Sequence, residues 1–144
     1  MIQRLQSLFL FLASCAFFLV FGFDFASSNI ELPGVLSDQV YDVMHNGILI
    51  GLTALGGIVT LVSIFLFKNR TLQIRLSYLS ILLALLLPVV AFVFLYRETS
   101  KVSNIELNSG VATFLPIAVL LFVFLALRFI KKDDKLVKSM DRLR

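Results

Sequence analysis

Long apolar runs alternate with short polar segments along the whole chain. Four runs cover residues 5–23, 48–67, 76–96 and 111–130, the last of them if Arg128 extends its charged head group to the membrane surface. A helix needs about 20 apolar residues to cross roughly 30 Å of hydrocarbon. The pattern therefore predicts an all-α fold, an integral membrane four-helix bundle that forms one domain over residues 1–144.

The polar segments differ sharply in charge from one side of the predicted membrane to the other. Eleven of the 13 Lys and Arg residues lie at the two ends and in the middle link, which gives that side a charge of +8 and the other side −4. Short loops rich in Lys and Arg stay in the cytoplasm. We therefore expect an inner-membrane protein with both termini cytoplasmic, anchored at the membrane surface by Arg4, Lys68, Arg70, Arg75, Arg128, Lys131 and Lys132.

The two outward links carry a weak strand pattern. Residues 29–32 and 103–107 alternate polar and apolar side chains, which is typical of short strands. Two short strands are marginal alone, so we expect them to pair as a small extracellular β-ribbon over the bundle.

The last segment, residues 131–144, predicts an amphipathic cytoplasmic tail. Helical spacing places its apolar residues on one face, namely Leu136, Val137, Met140 and Leu143. Three interpretations stay open: the tail lies on anionic lipid, docks on a cytoplasmic partner, or is a solvated extension of the fourth helix.

Small residues mark the predicted helix contacts, because in lipid such residues let helix backbones approach closely. On the second span Gly47 and Gly51 form a GxxxG pair with Ala54 on the same face, and a second stripe includes Gly56 and Gly57. On the third span the small residues are Ser77, Ser80 and Ala84. We expect packing within the chain, with a homodimer contact or a partner subunit as the alternatives.

Two prolines fall within the predicted spans. Pro88 lies inside the third span and Pro116 in the first turns of the fourth. Proline lacks an amide donor and clashes with the preceding turn, so both are expected to bend their helices.

Composition excludes several classes of protein. The chain is 59% apolar and 15% charged, far from the balance of a soluble domain. A disulfide framework, a zinc site or an iron–sulfur cluster needs several Cys and His, whereas the sequence holds only Cys15 and His45. We predict no catalytic, cofactor or metal site. Because the basic residues follow topology, the net charge of +4 gives no indication of nucleic-acid binding.

The first apolar run has three interpretations. A retained helix is the main interpretation, because the run is longer than the usual core of a signal peptide. Residues 12–15 also resemble a lipobox ending at Cys15, but the residues that follow stay apolar. The third interpretation is that the run is a signal peptide and is removed by cleavage.

Three sequence segments resemble a known family. The opening MIQR, the link KNRTLQIRL at residues 68–76 and the closing DRLR are similar to the small four-helix integral membrane family of Bacteroidota catalogued as a domain of unknown function. The resemblance covers nearly the whole chain. It implies an inner-membrane protein without an assigned activity or catalytic residues.

These features favour a non-enzymatic role. The main hypothesis is an accessory or scaffold subunit of a membrane protein assembly, with the lipid bilayer and other membrane proteins, or a second copy of the chain, as partners. The alternative is a small transporter or channel acting as a homo-oligomer, built on bends at Pro88 and Pro116. A third class, an enzyme acting on lipid, would use Asp42 and His45 at the outer membrane edge.

Overall fold

Four long helices dominate the chain. The computed structural model describes residues 2–29, 39–100 and 107–141. Within them the helices are α1 (Ile2–Leu19), α2 (Gly47–Phe65), α3 (Arg70–Thr99) and α4 (Leu115–Asp141). Each lies in a segment long and apolar enough to cross a membrane. The predicted all-α fold of four helices is confirmed.

Polar capping residues fix where the helices begin. The observed helix bounds therefore differ from the bounds of the apolar runs. The Asn46 side chain accepts a hydrogen bond from Ile48 N at 2.9 Å and starts α2. Asn69 accepts from Leu72 N at 3.3 Å, so α3 starts at Arg70, well before the apolar run at residue 76. At its far end α1 continues into a 3-10 turn, Val20–Gly22.

The fourth helix begins later and ends later than the span at 111–130. Val111–Thr113 form a 3-10 turn, held where Ala112 N donates to Asp24 O at 3.0 Å and Thr113 Oγ1 donates to Phe25 O at 2.7 Å. The helix then continues to Asp141. The described part of the predicted tail is therefore an extension of α4.

A small antiparallel sheet caps one end of the bundle. Its strands β1 (Ala26–Ser28), β2 (Val40–Tyr41) and β3 (Leu107–Ser109) run in the order β2-β1-β3. The predicted pairing of the first and third links is confirmed as the β1–β3 pair, in which Ser28 lies opposite Leu107. It forms beside the predicted strands, and residues 30–32 and 103–106 of those strands lie outside the described residues. Gly110 ends β3 where any Cβ would overlap the Asp24 carbonyl.

Several polar side chains lie inside the bundle beside its apolar core, and many large apolar side chains lie outside. The buried polar residues of the four long helices are Gln6, Ser14, Thr53, Thr60, Ser63, Gln73, Ser77 and Ser80. Outside, Phe65, Phe92 and Phe124 are 71%, 67% and 65% exposed. Such a surface is unfavourable in water but matches a hydrocarbon solvent, which attracts apolar side chains as well as the protein interior does.

Candidate functional site

Two glycines of α2 let α1 approach closely. A Cβ built at Gly56 would lie 2.6 Å from Phe17 Cζ, and one at Gly57 would lie 2.7 Å from Phe18 Cζ. Beside them, Ser14 Oγ donates to Gly57 O at 3.1 Å. The absence of side chains at these glycines thus creates the seat in which α1 packs.

A line of buried polar side chains, the polar seam, joins α2 to α3. It consists of Thr60, Ser63, Gln73, Ser77 and Ser80. Thr60 Oγ1 lies 2.6 Å from Gly56 O and 3.1 Å from Ser80 Oγ. Gln73 Nε2 donates to Ser63 O at 3.1 Å. The Thr60–Ser80 and Gln73–Ser63 bonds cross between α2 and α3 without charge, which suits a contact inside a bilayer.

The predicted GxxxG pair, Gly47 and Gly51, faces away from the bundle. Gly47 is exposed and Gly51 half-buried, and a Cβ at either would meet no atom within 4 Å among the described residues. At 3.6 residues per turn, Ala54 and Ile58 continue this line along α2. The line is opposite the buried residues Gly56, Thr60 and Ser63, so these glycines take no part in the packing described for α1. We call this line the open glycine face.

The two prolines occupy different positions in their helices. Pro116 is the second residue of α4, where helix amides have no acceptor within the helix, so its ring breaks no helical hydrogen bond. Pro88 lies within α3, and a bend there stays a prediction. It lines a cavity of about 200 Å³ beneath the sheet, together with Tyr41 and Phe92.

Tyr41 is a buried phenol that the sequence does not mark. Its side chain is fully buried, and its hydroxyl has no hydrogen-bond partner among the described residues. Burial raises the pKa of Tyr41 to about 12, because a low-dielectric setting disfavours the phenolate. The phenol therefore stays neutral at physiological pH.

The pair Asp42 and His45 lies at a helix start. Asp42 Oδ1 is 2.7 Å from His45 Nδ1 and accepts a bond from Met44 N at 2.8 Å. The carboxylate thus caps the 3-10 turn Val43–His45 that precedes α2. Across the described part of the chain, groups of three or more His, Cys, Asp or Glu that could hold a metal are absent.

The predicted cytoplasmic anchors divide into paired and exposed cations. Arg70 Nη2 lies 3.0 Å from Asp133 Oδ2, an ion pair rather than an aligned hydrogen bond, since that oxygen has no hydrogen-bond partner within the described residues. Lys131 Nζ donates to Tyr78 OH at 2.6 Å. The side chain of Arg4 lies outside the description, and the other anchors are exposed, namely Lys68, Arg75, Arg128 and Lys132.

A family model matches residues 2–143, which is nearly the full length of the chain. Its description is "Domain of unknown function (DUF4293)". The chain belongs to the DUF4293 family. This confirms the resemblance carried by MIQR, KNRTLQIRL and DRLR. Comparisons of this DUF4293 chain with curated proteins and with solved structures find no match.

Sequence reasoning placed some of the buried polar residues of this DUF4293 chain and missed others. Ser77, Ser80 and Ala84 are all buried on α3 as expected. Gln73 was missed, although it precedes Ser77 and Ser80 at spacings of i+4 and i+7 and so shares their face. A glutamine on the same helix face as small residues is therefore the sequence pattern that predicts the α3 side of the polar seam.

Proposed function

We propose that this chain is a non-enzymatic, multi-pass protein of the inner membrane that serves as an accessory or scaffold subunit of a membrane protein assembly. The observation that carries the proposal is the open glycine face of α2. Glycine in a helix destabilises it by about 1 kcal/mol relative to alanine. Gly51 has no packing role within the bundle that would offset this loss of stability. Close packing of a further helix against the outer surface of α2 gives it one.

Two pairs of glycines on α2 can be compared directly. Gly56 and Gly57 receive the aromatic rings of α1, whereas a Cβ at Gly47 or Gly51 would meet no atom within 4 Å in the described part of the chain. Helices in lipid associate through such small residues. The open glycine face therefore has the chemistry of a second helix seat, and its occupant is a transmembrane helix of another protein.

The interior supports a packing role over transport. Hydroxyls of the polar seam donate within the bundle, as when Ser77 Oγ bonds Gln73 O at 2.8 Å and Ser80 Oγ bonds Leu76 O at 3.0 Å. A transport path needs polar groups that can exchange partners with a solute. Those two hydroxyls bond carbonyls of α3 itself. Thr60 bonds Ser80, and Gln73 bonds Ser63 O, and these two contacts hold α2 against α3.

Location and orientation in this proposal follow from charge. The described ends of the helices near Lys68 and Lys132 carry most of the cations, and the sheet end carries Asp24 and Asp42. Since Lys and Arg are retained on the cytoplasmic side, the sheet faces outward and both termini lie in the cytoplasm.

The test is purification from native membranes in a gentle detergent. We expect the wild-type chain to copurify with the same membrane protein in repeated preparations, and Gly51→Leu to lose that protein by about tenfold or more, because a leucine blocks close helix approach. Gly22→Leu is the matched control, since a Cβ at Gly22 also meets nothing within 4 Å among the described residues. A wild-type chain that always purifies as a lone monomer, or equal capture by Gly51→Leu, contradicts the proposal.

A further inference from the structure

A groove runs between α3 and α4 near the cation-rich end of the bundle. Its volume is about 270 Å³, and its lining residues are Tyr78, Ile81, Phe124, Leu127, Arg128 and Lys131. The groove lies on the outside of the helix pair, where the surface faces lipid in a membrane-inserted bundle.

One end of the groove is cationic. Lys131 Nζ donates to Tyr78 OH at 2.6 Å and lies 5.1 Å from the centre of that ring, which fixes the ammonium at the groove mouth. Arg128 is exposed and has no ion-pair or hydrogen-bond partner among the described residues, so its five donors remain free.

The nearby carboxylates do not neutralise these cations. Asp133 pairs with Arg70 at 3.0 Å, and Asp134 pairs with Lys138 at 2.6 Å. The mouth of the groove therefore keeps the positive charge of Arg128 and Lys131, which complements a phosphate.

The other end of the groove is apolar. Phe124 lies one helical turn from Arg128, about 6 Å along α4, and is 65% exposed. Ile81 is half-buried and Leu127 is buried beside it. A hydrocarbon chain lying against these residues would continue the lipid that surrounds the bundle.

We infer that this groove is a binding site for an anionic phospholipid. Arg128 and Lys131 hold the phosphate, and one acyl chain lies along Phe124 and Ile81. Basic pockets between transmembrane helices on the cytoplasmic side are suited to such head groups. The inference needs the chain to be inserted in a membrane and is independent of any partner on α2.

The test uses the full-length chain in detergent and native mass spectrometry, with phosphatidylglycerol and phosphatidylcholine of identical acyl chains as probes. We expect phosphatidylglycerol to bind at least about tenfold more tightly. The double variant Arg128→Gln with Lys131→Gln should weaken phosphatidylglycerol binding by about 25-fold, which is about fivefold for each cation removed. Phe124→Ala should weaken both lipids by several-fold, since it removes chain contact alone.

The matched control is Lys132→Gln with Lys135→Gln, which removes two exposed cations from α4 outside the groove. It should change phosphatidylglycerol binding by less than about twofold. Equal binding of the two lipids, equal losses in both double variants, or displacement of the lipid by inorganic phosphate at matched concentration would each overturn the inference. The comparison of phosphatidylglycerol with phosphatidylcholine on the wild-type chain tests the inference even if the double variant fails to fold.

Discussion

At the scale of single residues, the glycines of α2 show that the surroundings of a residue decide what it contributes to stability. Gly56 faces the ring of Phe17, which is 1% exposed. A Cβ at Gly51 would meet no atom within 4 Å among the residues that the structure describes. The same residue type is therefore essential for packing at one position and destabilises the isolated bundle at the other.

We predict opposite effects of alanine at these two glycines. Gly56→Ala should lower the free energy of unfolding by about 1 to 3 kcal/mol, because its methyl group overpacks the α1 contact. Gly51→Ala should raise it by about 0.5 to 1 kcal/mol, since alanine favours the helix. Unfolding of the purified chain by sodium dodecyl sulfate in mixed micelles, followed by circular dichroism, measures both. Effects of the same sign would show that the two faces are not distinct.

The sequence predicts which residues share a helix face but not what that face meets. Helical spacing places Gly47 and Gly51 on one stripe and Gly56 on another, and the structure agrees. Only the fold shows that Phe17 and Phe18 occupy the second stripe. Tyr41 could not be found from sequence for a similar reason: its burial depends on Phe25 and α3, which are distant in the chain.

At the scale of elements, hydropathy locates the spans and polar contacts fix their ends. The apolar run at residues 76–96 lies inside α3, yet the helix starts at Arg70 because Asn69 caps it. The turn Val111–Thr113 lies within the apolar run at residues 111–130 but is tied to Asp24 and Phe25. The bond from Thr113 to Phe25 joins residues 88 positions apart in the chain, so a window of apolar residues cannot report it.

The start of α3 and the cation-rich end of α4 are joined by Arg70 and Asp133. Their side chains are only 20% and 16% exposed, and the carboxylate also places negative charge at the positive end of the α3 dipole. This contact ties α4 to the start of α3 just beyond the end of its apolar run.

Asp133→Asn is therefore expected to lower the free energy of unfolding by about 1 to 2 kcal/mol, because it leaves Arg70 largely buried without its partner. Asp134→Asn is the matched control: its pair with Lys138 is on one helix and more exposed, and such pairs contribute about 0.3 to 0.5 kcal/mol. The same micelle unfolding assay compares them. Equal losses in the two variants would rule out a role for the α3–α4 ion pair.

At the scale of the whole molecule, the distribution of polarity and charge predicts an orientation in the membrane. Polar side chains such as Gln73 and Thr60 lie inside, and apolar ones cover the outside. The cations gather at one end and the small sheet lies at the other. Sequence alone predicts this arrangement because charge in short loops follows membrane topology.

The orientation is testable with two exposed positions at opposite ends of the bundle. Lys68 follows α2 and Ser100 follows α3. We predict that a membrane-impermeant maleimide applied to spheroplasts labels Ser100→Cys, and labels Lys68→Cys only after the membrane is permeabilised. Both variants carry the half-buried Cys15, so Cys15→Ser forms of each are compared. The reverse pattern of labelling would invert the proposed topology.

The central claim is that α2 seats a helix of another membrane protein. Its most direct test is photo-crosslinking in native membranes from a probe at Ile58, which is exposed on the open glycine face, with a probe at exposed Leu121 of α4 as control. The account predicts that Ile58 crosslinks repeatedly to the same second membrane protein, that Leu121 does not, and that Gly51→Leu abolishes the adduct. Crosslinks from Ile58 only to lipid or to another copy of this chain would contradict it.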